Sequence, residues 1–164
     1  MKSSIRANLW FDTHAEEAAR FYTGVFKDSK LGATTHYPAV GNEITGMPAG
    51  SVMTVEFELN GQPFIALNGG PVFNFTEAIS FEIECEDQAE LDYYWDRLSE
   101  GGDIEAQQCG WLKDKFGLSW QVVPRALNEM MNDPDKTKTD RVFAAMLQMK
   151  KLDVAGLQAA FEQS

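Results

Sequence analysis

Apolar and polar positions alternate along Ile5-Arg6-Ala7-Asn8-Leu9-Trp10-Phe11, with Ile5, Ala7, Leu9 and Phe11 on one side. A period of two is that of a half-buried strand. The spacing then changes, because Ala15, Ala18, Tyr22 and Val25 recur at helical intervals. Thr13-His14-Ala15-Glu16 before them has the form of a capping box, with the Thr13 hydroxyl serving the Glu16 N–H. This helix should stop near Phe26, where Lys27-Asp28-Ser29 breaks the stripe. Residues 30–50 hold four glycines and two prolines, and predict a long irregular connection with at most one short strand around residues 34–37. Alternation returns in Met53, Val55, Phe57 and Leu59, and Asn60-Gly61 supplies the positive φ angles of a tight hairpin turn into residues 62–68.

The second half repeats the first. Ile79, Phe81, Ile83 and Cys85 alternate with Ser80, Glu82, Glu84 and Glu86, and Asp87-Gln88-Ala89-Glu90 opens another helix with a capping-box pattern. Leu91, Tyr94, Trp95 and Leu98 form its stripe, and Gly101-Gly102 ends it. Residues 107–113 predict a strand, Asp114-Lys115-Phe116-Gly117 a turn, and residues 118–123 a last strand closed by Pro124. Beyond it the chain reads as helical over residues 126–131 and 140–149, then from Asp153 with Val154, Leu157, Ala160 and Phe161 in register. Such a tail is too short for a core of its own, so Met130, Phe143, Met146 and Leu147 are expected to pack on the body or on a partner subunit. The pattern gives an α+β fold in a single domain over residues 1–164, with unit one at 1–75, unit two at 76–124 and a C-terminal helical extension at 125–164.

A hydrophobic fraction of 44% supplies enough apolar area for a core and argues against intrinsic disorder. The formal charge of -11 opposes a phosphate backbone and an anionic membrane surface alike. No apolar run approaches the roughly 20 residues of a spanning helix. Neither nucleic acid nor membrane is therefore expected as a partner. Met1-Lys2-Ser3-Ser4-Ile5-Arg6 runs straight into the first strand pattern without an apolar signal core, so cytoplasmic residence is expected, with Cys85 and Cys109 as reduced thiols.

Several stretches carry a family likeness. Trp10-Phe11-Asp12 precedes Ala15-Glu16-Glu17-Ala18 and Phe21-Tyr22. Further on come Phe57-Glu58-Leu59-Asn60-Gly61-Gln62-Pro63-Phe64 and Ala66-Leu67-Asn68-Gly69-Gly70-Pro71. Cys109-Gly110-Trp111-Leu112-Lys113-Asp114, Ser119-Trp120-Gln121-Val122-Val123-Pro124 and Lys150-Lys151-Leu152-Asp153 follow. Together they resemble the PhnB-like subgroup of the vicinal oxygen chelate superfamily, which includes glyoxalase I, bleomycin-resistance proteins and extradiol dioxygenases. The subgroup often bears the label 3-demethylubiquinone-9 3-methyltransferase. The resemblance implies two βαβββ units whose sheets close into a cup, and a homodimer. It does not imply methyl transfer, since the glycine-rich turn Gly-x-Gly-x-x-Gly of a common adenosyl-methionine site is missing.

Metal-dependent members of that superfamily chelate a divalent ion with His, Glu or Gln from the first and last strands of each unit. Here those places hold Arg6, Ala7 and Asn8, Ser80, Ile65, Leu67 and Asn68, and only Gln121 matches a ligand position, four residues after Gly117. No metal or other cofactor is therefore expected. His14 and His36 have no partner at metal spacing and read as a helix-start residue and a loop residue. The expected function is binding of a small molecule of unknown identity on the concave sheet face. Gln121, Trp111, Cys109, Asn68 and Glu82 are the candidate ligand-binding residues, and catalytic residues are unknown. Cys109 is placed on a strand beside Trp111, whose ring would form a flat wall. Two alternatives stand beside this reading. One is a metal-dependent lyase, isomerase or dioxygenase with a non-standard ligand set such as Gln121 with Glu56 or Glu82 and a loop residue; the other is a protein-interaction module with a vestigial cavity.

Overall fold

The computed structural model describes residues 5–163 and divides the chain into two compact units, Met1–Phe75 and Thr76–Ser164. The leader reading rests partly on residues 1–4, which lie outside the described ones.

In the first unit the order is β1 (Ala7–Phe11), α1 (Ala15–Val25), β2 (Ser29–His36), α2 (Asn42–Thr45), β3 (Val52–Leu59) and β4 (Gln62–Asn68). Its sheet runs β1-β4-β3-β2, with β1 and β4 parallel and the other pairs antiparallel. The alternation seen in the sequence becomes the two faces of this sheet. Leu9, Phe11, Val55, Phe57, Leu59, Phe64 and Ala66 are buried on the side of α1, whose own stripe of Ala15, Ala18, Ala19, Tyr22 and Val25 closes the core. The Asn60-Gly61 turn forms as expected, with φ of 48° and 81°.

Two local expectations are corrected. The Thr13 capping box does not form: His14 is the cap residue and makes no side-chain bond, while the Ala15 N–H donates to Asn68 Oδ1 at 2.8 Å. A tertiary acceptor has replaced the local one. The strand after α1 spans eight residues, and seven of them are exposed. It is an edge strand held by pairing to β3 with two register irregularities, so it has no apolar alternation to betray it.

The second unit repeats the plan with β5 (Ser80–Cys85), α3 (Gln88–Ser99), β6 (Asp103–Gln108), β7 (Trp111–Lys113) and β8 (Ser119–Pro124), in the sheet order β5-β8-β7-β6. Here the cap forms: Asp87 Oδ1 accepts from the Glu90 N–H at 2.9 Å, and Glu90 Oε2 reaches one residue past the cap to accept from the Glu86 N–H at 2.7 Å. Leu91, Tyr94, Trp95 and Leu98 are buried on α3 as the periodicity requires, and Gly101 turns the chain away with φ of 74°. Each unit is thus a βαβββ element, and the fold is α+β.

Three helices follow, α4 (Arg125–Met131), α5 (Lys136–Met146) and α6 (Val154–Glu162), within the second compact unit. Asp135 and Asp153 cap the last two through bonds to Thr137 N and Ala155 N, which starts α5 four residues before its apolar pattern does. Leu127, Met130, Val142 and Leu157 are buried, whereas Phe143 and Leu147, expected to pack, remain 45% exposed. Among the described residues no helix is long and apolar enough to cross a membrane.

Candidate functional site

Strand pairing settles which candidate side chains share a face. In the second unit Gln121 pairs with Trp111 on one side and with Glu82 on the other, and Trp111 pairs with Gln108. Residues opposite one another in a sheet point the same way. Gln108, Trp111, Gln121 and Glu82 therefore form one cross-strand row. The alternate positions Ile83, Cys85, Leu112, Trp120 and Val122 are buried toward α3, so the row looks out from the opposite face.

A cavity of about 400 Å³ opens at the Gln108 and Trp111 end of this row, lined by Glu77, Ala106, Gln108, Cys109 and Trp111; Gln121 and Glu82 continue the row from its edge. That volume suits a small organic molecule. Trp111 is half-buried and offers an aromatic wall. Gln121 Nε2 donates to Ser80 Oγ at 2.9 Å, which orients the amide and spends one of its two N–H groups. Glu82 is exposed and, among the described residues, has no ion-pair partner. In the next row Lys113 pairs with Ser119 and Ser119 with Ser80. The Ser119 hydroxyl is buried without a hydrogen-bond partner, and the Lys113 ammonium bonds Glu77. Hydrogen bonding and charge from Lys113 hold the Glu77 carboxyl below the usual carboxylate range.

Cys109 is not on a strand, as the sequence reading had it. Cys109 and Gly110 have φ of 51° and 84° and form the two-residue turn between β6 and β7, closed by the Gln108 and Trp111 pair. Cys-Gly is not a usual hairpin dipeptide, and this hid the turn. The glycine within an apparent strand was the available signal. Ala106 and Gln108, missed by sequence reasoning, become lining residues because this turn folds β6 back beside β7, and Glu77, just before β5 and likewise missed, is held there by Lys113.

Asn68 belongs to the first unit and has a different task. It is 6% exposed, accepts from the α1 N-terminus through Oδ1, and donates through Nδ2 to Val52 O at 3.0 Å. Its carbonyl also accepts from the Tyr37 hydroxyl. On the outward face of that unit, the row equivalent to Gln108-Trp111-Gln121-Glu82 contains Glu56, Ile65 and Asn8, and Glu56 is held by Arg6 at 2.8 Å. Glu58 is paired with Lys30 at 3.1 Å, and Glu84 and Glu86 with Arg125 at 3.2 and 2.7 Å. His14 and His36 are exposed. Among the described residues no three His, Cys, Asp or Glu side chains converge as a metal-binding group.

The thiols differ in kind. Burial, with Glu90 and Asp87 adding to it, pushes the buried Cys85 thiol up to about 12, so it stays protonated and inert. Cys109 is half-buried at the rim of the cavity.

Comparison with known proteins follows the fold. No curated protein matches the chain. The PhnB protein from Bacillus cereus, whose description carries the 3-demethylubiquinone-9 3-methyltransferase label, is 32% identical, with 74% of this chain and 99% of that chain covered and a TM-score of 0.64. A protein from Pseudomonas aeruginosa shares the fold at 18% identity and a TM-score of 0.57, over 75% of this chain and 98% of its own. With the 3-demethylubiquinone-9 3-methyltransferase family model matching residues 3–123, the chain belongs to that PhnB-like family.

Proposed function

We propose that this protein binds a small organic molecule, without metal, on the outward face of the second sheet. The observation that carries the reading is the row Gln108-Trp111-Gln121-Glu82, whose Gln108 and Trp111 end lines a cavity of about 400 Å³. An oriented amide next to a flat aromatic wall suits an uncharged polar ligand with a planar or apolar part, because Gln121 can donate and accept without needing a counter-charge. Cys109 borders the site at its rim, and Glu82 closes the row. Asn68 is left out of it, since both ends of its amide already serve the first unit. The methyl transfer in the family's label is not adopted, as no glycine-rich adenosyl-methionine turn is present in the sequence.

Native mass spectrometry of the purified protein should show a co-purifying molecule. Gln121→Ala and Trp111→Ala should fold and lose it. Retention at wild-type occupancy in both variants would refute the site.

We also propose a homodimer in the cytoplasm. Support comes from the open edge strand β2 and from Val40 and Ile44, which are 81% and 86% exposed. The two free thiols fit a reducing compartment. Sedimentation at micromolar concentration should give the dimer mass, and a monomer would contradict it.

A further inference from the structure

The β6–β7 turn carries the rim of the cavity, and the residues on either side of it, Gln108 and Trp111, are part of the wall. Whatever fixes this turn fixes the wall. The turn does not hold itself: φ of 51° is disfavoured for any residue other than glycine, so Cys109 keeps it only while neighbouring contacts enforce it.

Those contacts come from the segment between α5 and α6. Cys109 N donates to Met149 O and Gly110 N to Lys150 O, both at 2.8 Å. Leu152, 1% exposed, packs so closely over Gly110 that a Cβ there would lie 3.0 Å from its Cδ1. The segment is in turn anchored to α3. Gln88 donates from Nε2 to Leu152 O at 3.2 Å and accepts from Val154 N at Oε1, 2.8 Å away. Lys151 adds ion pairs to Asp92 and Asp96 at 2.9 and 3.5 Å. The segment that makes these contacts lies beyond residue 123, where the match to the family model stops, while the groups it holds lie before it.

We propose that residues 149–154 are a clasp that sets the cavity wall, with Leu152 and Gln88 as positioning residues for Trp111 and Gln108. The clasp grips the turn through backbone hydrogen bonds and reaches α3 through the Gln88 and Lys151 side chains, so it uses none of the side chains that would touch a ligand. It holds whatever molecule occupies the cavity, and loss of the ligand reading leaves it standing.

Amide hydrogen exchange by NMR on the full-length protein tests it. In Leu152→Ala and Gln88→Ala the Cys109 and Gly110 amides should exchange at least about tenfold faster than in the wild type, while the α3 and β8 amides keep their protection. In the same spectra the Trp111 indole and Gln108 side-chain amide signals should move, which a tail serving only as general support would not cause. Should Leu152→Ala lose protection globally, Gln88→Ala decides, because it removes the anchor and leaves the apolar core intact. Unchanged exchange at both amides, or faster exchange with the Trp111 and Gln108 signals in place, would overturn the proposal.

Discussion

The Trp120 indole donates to Asp114 Oδ2 at 2.9 Å, and Asp114 is only 2% exposed. Its other oxygen accepts from Phe116 N at 2.8 Å and Leu118 N at 3.1 Å, so a single carboxylate shapes the turn into β8 and fixes the ring beneath the site row. Removing it strands three donors. Asp114→Ala should therefore lose about 3–5 kcal/mol in urea unfolding. Asp114→Asn, which keeps an acceptor for the turn but sets an amide against the indole, should lose about 2 kcal/mol. An Ala variant as stable as the Asn variant would show that the buried carboxylate is not the organising group.

Asn68 supports the first unit in a comparable way. Asn68→Ala leaves the Ala15 N–H and the Val52 carbonyl without their partner and should cost about 2 kcal/mol. The co-purifying molecule should stay at wild-type occupancy. Its loss from a fully folded variant would return Asn68 to the ligand site.

The two cysteines should be separable by chemistry. In native protein at pH 8 a disulfide reagent should modify Cys109 alone, and Cys85 should react only on unfolding; mass spectrometry of the labelled peptides reads this out. The raised Cys85 value also has a stability consequence. Its folded state holds the proton more tightly than the unfolded state, so the contribution is complete below the ordinary thiol value of 9.0 and falls away as pH rises toward about 12. Cys85→Val should flatten the alkaline loss of stability over that window. Parallel curves for variant and wild type would dismiss the effect.

A chelator should leave the melting temperature unchanged. Of the oxygen-bearing groups in the row, Gln121 and Glu82 are on adjacent strands while Gln108 lies on the far side of Trp111, so fewer than the three protein donors usual in a divalent site stand side by side. A bound ion would stabilise the fold by mass action. A drop of several degrees with EDTA, reversed by zinc, nickel or manganese, would instead establish a bound metal and revive the reading of a metal-dependent enzyme.

Periodicity made the cores legible, because burial imposes it. The stripes of α1 and α3, the Asn60-Gly61 hairpin and the alternation in β1, β3 and β5 all stand in the sequence. Pairing without burial leaves no such trace, which is why β2 read as irregular chain. Gln121, Trp111 and Glu82 were found singly from family position and residue type, but their union in one row depends on register. Register in turn depends on the Cys109-Gly110 turn, whose geometry is enforced by Met149 and Lys150 about forty residues later in the chain. No local rule could have supplied that contact.

The boundary that sequence comparison draws at residue 123 cuts through a folding unit. The match to the family model ends there, while the hydrogen bonds from Cys109 and Gly110 to Met149 and Lys150 reach across it. An expression fragment trimmed to the family limits would keep every residue of the candidate row and lose the backbone that holds the row's turn, so what relatives have in common is a poor guide to where this protein can be cut.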